Sequence, residues 1–274
     1  MTKTTAMRPA AEAPRTWRRK PFIANPLLRW GLWLCAALYV AVALGTLDVN
    51  WVRVWEGLPR GRQFLAAFFP PDFTTRWDEI YEGILESLWM TVTSTVIGIL
   101  LSIPIGVGAA RNIAPAPVYY VCRAILAVSR SFQEIILAIF LVKLFGFGPF
   151  AGFMTLSLAT IGFYGKLLAE DIEDMDPSQA EAVRATGAGW LQWINFGVQP
   201  QVMPRMIGLG LYRLDINFRE SAVVGIVGGG GIGATLNTAF DRYEFDSAAA
   251  ILLIIIGIVM VVEYASGHLR KWVQ

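Results

Sequence analysis

Side chains that carry chemistry are scarce in this chain, which has one histidine, His268, and two cysteines, Cys35 and Cys122, among 274 residues. No Ser-His-Asp grouping, metal cluster or enclosed pair of carboxylates can be assembled around a lone histidine that follows the last hydrophobic run, so catalysis by this chain is not expected. The cysteines form neither a CxxC pair nor a ligand cluster and read as packing residues. Charge is also sparse. Charged residues make up 16% of the chain and the net charge is +2, too small a surplus to suggest a nucleic-acid partner. What the chain has in excess is apolar surface: 55% of its residues are hydrophobic, which places it in a lipid bilayer.

A bilayer core about 30 Å thick needs about 20 helical residues to cross. Runs long and apolar enough lie at 27–47, 84–109, 118–145, 149–169, 202–227 and 247–267, which predicts an all-α membrane protein with six transmembrane helices. Lys3, Arg8, Arg15, Arg18, Arg19 and Lys20 precede the first run against one acid, Glu12, and place the N-terminus in the cytoplasm. Ala41 and Ala43 would suit signal cleavage, but the long run and extended basic leader favour a retained anchor. Six crossings return the C-terminus to the same side, in agreement with Arg111 after the second run and His268, Arg270 and Lys271 after the sixth. The segment 48–83 mixes Trp, Phe, Pro and charge, with Pro70 and Pro71 barring a continuous helix, and is expected along the outer interface. Pro104, Gly106 and Gly108 are expected to kink the second span. These features divide the chain into a basic tail (1–26), a first helix (27–47), the interfacial segment (48–83), a core (84–270) and a short tail (271–274).

Between the fourth and fifth spans lies a polar loop, 171–201, containing EAVRATGAGWLQWINFGVQP at 181–200. Asp176 followed by Pro177 predicts a capped helix start, and Gly187 or Gly189 a break, giving two short helices at an angle. A corner of that kind suits insertion into a cleft on a soluble partner. The plainer reading is an interfacial helix anchored by Trp190 and Trp193.

The spacing Glu181, Ala182, Gly187, Pro200 resembles the cytoplasmic "EAA" coupling loop of bacterial ABC-importer permeases, and it stands before the penultimate span, as theirs does. Val183, Gly197 and Gln199 depart from that pattern, which has Ala, Ile and Leu there. Further stretches, SRSFQEIILAIFLVKLFGFGPFAG (129–152), LYRLDINFRESAVVGIVGGGGIG (211–233) and YEFDSAAAILL (243–253), resemble the phosphonate (phosphonate, phosphate, phosphite) importer permeases within that superfamily. The glycine-rich end of the fifth span also resembles methionine importers. The resemblance implies a type I ABC-importer permease fold with an added N-terminal span, in the bacterial inner membrane. It implies a homodimer, two cytoplasmic ATPase subunits that handle ATP and Mg, and an extracytoplasmic binding protein, with no cofactor or metal on this chain. Glu181, Ala182, Arg184, Gly187 and Pro200 would form the coupling loop. A permease for methionine or another small solute, and a passive channel or ion-coupled carrier, are the alternatives.

GGGGIGAT at 228–235 satisfies GxGxxG in form, but Ala234 stands where a phosphate-binding loop needs lysine and a membrane span precedes it. Gly228, Gly229, Gly230, Gly231 and Gly233 are instead expected at a gate or a close helix contact. Charges inside spans face protein or water rather than lipid. Arg130 and Glu134, like Asp215 and Arg219, stand four apart and could pair within a helix. Alternatively Arg130 and Arg219, with Ser129, Ser131, Asn217 and Ser221, would line a path for an oxyanion, whose oxygens suit guanidinium forks. Arg123 and Lys143 are expected to snorkel at span ends.

Overall fold

A computed structural model describes residue 23, residues 25–47 and residues 50–273, with side chains described as far as His268. The basic leader and the side chains of Arg270 and Lys271 fall outside what is described. The chain divides into two compact units, 1–61 and 62–274. In the first, α1 (Pro26–Thr46) carries Asn25 as its N-cap, accepting from the Leu27 N–H at 3.1 Å. No side chain of α1 is buried, as befits a helix surrounded by lipid. Cys35 is therefore exposed and does not pack, contrary to the reading from sequence. The segment 48–83 holds α2 (Trp51–Ala66), with Pro59 inside it, and this helix ends before Pro70 and Pro71.

The second unit contains α3 (Trp77–Gly108), α4 (Ala116–Ser131), α5 (Glu134–Phe145), α6 (Pro149–Glu173), α7 (Pro177–Ala185), α8 (Trp190–Trp193), α9 (Gln199–Val224), α10 (Gly231–Asp241) and α11 (Phe245–Val273). A π-helical turn at Ile194–Val198 leads into α9, and the segment Gly225–Gly229 that follows α9 kinks at Gly228, whose φ of 101° is not helical. Among the described residues four helices are each long and apolar enough to cross a membrane, and the number rises to six if each of two bent pairs is one span. The third expected span is one of these pairs: α4 and α5 meet at 92° across extended Phe132 and Gln133, rather than forming one rod. In the second, Trp190–Gly229 and α10 meet at 54°. Pro104 does not end α3, which runs on to Gly108.

α3 and α6 form the central contact. Ser87, Thr91, Ser94, Thr95, Gly98, Ser102 and Gly106 make a buried stripe of small residues at helical spacing, while Trp89, Val96, Leu100 and Leu101 point outward. Lipid is as apolar as leucine, so helix association here depends on close packing and polar contacts, and small residues are what allow it. Three of the buried hydroxyls donate within their own helices: Thr95 to the Thr91 carbonyl (2.7 Å), Ser102 to Gly98 (2.5 Å) and Thr160 to Leu156 (2.7 Å). Cys122 packs from α4 against Gly108, where an added Cβ would stand 2.6 Å from its sulfur.

The ends of the helices sort into two groups. At one, the Arg111 N–H and Arg123 guanidinium both donate to Glu173 (2.7 Å each), and Asn112 donates to the Ile172 carbonyl. At the other, the Asp72 N–H reaches the Asp246 carbonyl, and Arg76 pairs with Glu244 at 3.3 Å.

A Cβ at Gly98 would lie 2.5 Å from Thr160 Cβ and 3.1 Å from the Ser157 carbonyl oxygen. Gly98→Leu is therefore expected to destabilise the unit by at least the ~1–3 kcal/mol typical of overpacking. Thermal unfolding of the purified chain should show a lower midpoint for it, whereas Leu100→Ala, on the exposed side of the same helix, should leave the midpoint nearly unchanged.

Candidate functional site

The 171–201 loop folds as a stapled corner. Asp176 caps α7 by accepting from the Ser178 N–H (2.9 Å) and hydroxyl (2.8 Å), and Pro177 occupies the first turn, where its missing N–H costs nothing. Those hydrogen bonds lower the Asp176 pKa below the usual carboxylate value, so the cap is ionised at neutral pH and fails only as pH falls through that lowered value. Gly187 turns the chain at φ +82°, a left-handed conformation that a side chain would strain. The Gly189 N–H then donates to Gln192 Oε1 at 2.9 Å, and α8 begins.

Trp193 closes the corner. It is buried, not interfacial: its indole N–H donates to the Ala180 carbonyl at 2.8 Å, and the Arg184 guanidinium lies 3.9 Å from its ring centroid. A Cβ at Gly197 would sit 3.3 Å from the Trp193 ring and 3.4 Å from Ala180 Cα, so the glycine that departs from the EAA pattern is where α7 closes on the π turn. Gln201 accepts from the Asp176 N–H (3.0 Å) and donates to the Gly197 carbonyl (2.7 Å), and Arg205 pairs with Asp171 at 2.8 Å. The loop is thereby fixed to α9. α8, the π turn and α9 form one continuous helix, so the second short helix expected from sequence is the foot of the fifth span and not a separate element. Glu181, Ala182, Arg184 and Gly187 are exposed, as is Pro200 within the first turn of α9. Beside them Trp190, Leu191 and Phe196 expose 54%, 69% and 72% of their surfaces, an apolar rim that suits burial by a partner.

Deeper in the bundle, polar groups from four helices meet. Arg213 on α9 is buried and donates to Thr160 Oγ1 of α6 (3.1 Å) and to Glu134 of α5 (3.0 Å), with its guanidinium 5.3 Å from the Phe163 ring centroid. Asn217, one turn on, donates to Thr160 (2.9 Å) and to Thr95 of α3 (2.8 Å). Glu134 is the first residue after the α4–α5 break, so its pair with Arg213 holds that break against α9. The expected Arg130–Glu134 pair does not form, because the helix ends between them; Asp215 and Arg219 do pair, at 2.8 Å.

The residues offered for an oxyanion path do not share one surface. Asn217 and Ser221 are fully buried, the first tying helices together and the second donating to the Phe218 carbonyl of its own helix. Ser129 donates to the Leu158 carbonyl and Ser131 to Ala127. Arg219 is half-exposed on its pair with Asp215, and Arg130 stands exposed on α4. Arg123 does not snorkel freely but holds Glu173 and the Ala109 carbonyl, while Lys143 is exposed in the last turn of α5. Arg213, Thr160 and Glu86 are the residues that reasoning from sequence passed over. The signal for Arg213 was present, as a charge four residues before Asn217 within a span.

Glu86 accounts for the glycine run. It accepts from the Gly231 N–H at 2.6 Å and Ser87 accepts from the Ile232 N–H at 3.0 Å, so the start of α10 is held by side chains of α3. Gly228, Gly230 and Gly231 adopt positive φ (101°, 79°, 72°), and a Cβ at Gly230 would lie 2.7 Å from the Pro149 nitrogen. Gly229 packs on Gly152 of α6, and Gly233 lies against the Ala222 carbonyl.

Residues 102–274 match the family described as binding-protein-dependent transport system inner membrane component. The chain belongs to that family. It is 37% identical to a phosphite transport system permease protein of Stutzerimonas stutzeri over 93% of this chain and 90% of that one. It is 38% identical to a phosphate-import permease protein of Mycolicibacterium smegmatis over 86% of this chain, an alignment that spans 44% of the length of the mycobacterial protein. An inward-facing methionine ABC transporter structure superposes with a TM-score of 0.64 over 71% of this chain and 96% of that one, at 22% identity, which shows the fold.

Removing one partner of the buried pair leaves an uncompensated charge. Arg213→Met should destabilise the protein by about 3–5 kcal/mol, toward the lower figure because Glu134 is a quarter exposed, and Arg213→Met with Glu134→Gln should recover much of the loss. Chemical or thermal unfolding of the three proteins checks the coupling.

Proposed function

We propose that this chain is the permease subunit of an ATP-driven importer for a phosphorus oxyanion: phosphonate, phosphate or phosphite. Two copies form the translocation pathway, an extracytoplasmic protein delivers the solute, and two cytoplasmic ATPase subunits drive the cycle. The 171–201 loop then lies in the cytoplasm, and both termini with it. The observation that carries this reading is the corner built by Trp193: it presents Glu181, Ala182 and Arg184 beside an apolar rim and is continuous with a membrane helix.

A docked ATPase displaces the loop, and the displacement passes along α9 to Arg213 and Asn217, where α3, α5 and α6 are held. Gln201 and Arg205 fasten the joint between loop and helix, and α9 stays helical from there through Pro204 to the tie. Two guanidiniums on α9 are exposed, Arg205 at the loop and Arg219 beyond the tie, and it is Arg219 that meets the anion transiently across its pair with Asp215. Weak contact is what transport needs, since a tight site would retain its solute. The relatives named for phosphite and phosphate at 37% and 38% identity favour a phosphorus oxyanion over methionine, whose named permeases stand at 25% and 27%.

Glu181→Lys reverses a charge on the exposed face of α7, and Gly187→Trp strains the turn. Both variants are expected to insert in the membrane normally, to lose uptake of labelled phosphite or phosphonate and, for Glu181→Lys, to lose co-purifying ATPase. Coupled uptake at the parent rate in either variant would overturn the docking role. A homogeneous complex without any ATPase would favour a channel or carrier.

A further inference from the structure

Arg130 is a cation without a counter-charge. The other arginines along the same spans are matched: Arg123 with Glu173, Arg213 with Glu134 and Arg219 with Asp215. Among the described residues, Arg130 has neither an ion pair nor a side-chain hydrogen bond. It lies in a groove between α4 and α6, with a cavity of about 240 Å³ lined by Arg123, Leu126, Ala127, Arg130 and Lys166. Three cations therefore face one small space. Two carboxylates at its edge are already engaged, Glu173 by Arg123 (2.7 Å) and Glu170 by Lys166 (3.4 Å), which leaves a surplus of one positive charge.

The depth of the groove can be read from its neighbours. Tyr119 and Tyr120, in the first turns of α4, place that end of the helix at the membrane–water boundary, where tyrosine collects. The Arg123 guanidinium lies 5.4 Å from the Tyr119 ring centroid, so the mouth of the groove is interfacial. Arg130 starts deeper, beside Gly162, where an added Cβ would be 3.0 Å from Arg130 Cγ. Helical side chains lean toward their own N-terminus, so Arg130 reaches back toward Lys166 and the interface. The wall between the cations is hydrocarbon, Leu126 and Ala127.

We propose that this groove binds the phosphodiester of an anionic phospholipid in the leaflet on the side of the 171–201 loop. A monoanionic phosphodiester matches the surplus charge, guanidinium forks match its oxygens, and the apolar wall accepts the acyl chains. Free inorganic phosphate shares the charge chemistry but has no use for the wall. The site is independent of which solute is transported.

The test uses the full chain, delipidated in neutral detergent, with bound lipid counted by native mass spectrometry. Phosphatidylglycerol should bind more tightly than phosphatidylcholine. Arg130→Gln should weaken the phosphatidylglycerol complex about fivefold, the effect of losing one basic residue near an anionic lipid. Arg242→Gln, an exposed cation at the opposite end of the bundle, should leave it unchanged. If Arg130→Gln fails to insert, Lys166→Gln reads the same site and should weaken binding by a similar factor. Equal affinity for the two lipids, or undiminished binding in the variant that inserts, overturns the proposal. Sodium phosphate that binds in an Arg130-dependent way and displaces the lipid also overturns it, in favour of a free-anion site.

Discussion

The structure of the larger unit depends on how closely α3 and α6 approach. In a bilayer the removal of apolar surface from water cannot draw two helices together, so the contact must come from dispersion, polar bonds and the absence of obstructing side chains. Apart from Ile80 and Met90, the buried face of α3 is accordingly made of Gly, Ser and Thr, and its outward face is rich in Trp, Val and Leu, the reverse of a helix in a soluble core. Once the backbones are this close, Thr95 and Thr160 can share Asn217, and Thr160 can also receive Arg213. The polar tie is thus a product of the small-residue stripe: wider spacing would leave the Asn217 amide short of one side and its burial uncompensated.

Legibility from sequence followed the range of the interactions involved. The loop was readable because its determinants are local: an Asp-Pro start, a glycine that supplies positive φ, and polar composition between two apolar runs. The four spans that run as single helices were readable from length and hydropathy. The 92° break between α4 and α5 was not, since Ser131, Phe132 and Gln133 include neither glycine nor proline. What stabilises the break lies 79 residues away, in Arg213 on another helix. The burial of Trp193 was not legible for a similar reason, because a tryptophan in an amphipathic segment suits an interface equally well, and the deciding acceptor is a backbone carbonyl in α7.

The glycine run shows how a familiar spacing is diverted by its context. The N–H groups at a helix start attract anions. Here those of Gly231 and Ile232 are met by Glu86 and Ser87 of α3, so the feature that serves phosphate recognition elsewhere serves helix docking in this chain. Glu86 also finds a partner for a charge that a span would otherwise carry at considerable cost.

α9 is entered through a π turn, which holds one residue more than an ordinary helical turn accommodates, and beyond its other end Gly228 leaves helical geometry at φ 101°. Because an α-helix advances about 100° per residue, the π turn at Ile194–Val198 sets an angular phase between the exposed corner and Arg213 and Asn217. The helix behaves as a shaft keyed at its foot. A change of one residue in length at that key would alter little in composition, yet it would turn the corner out of alignment with the polar tie.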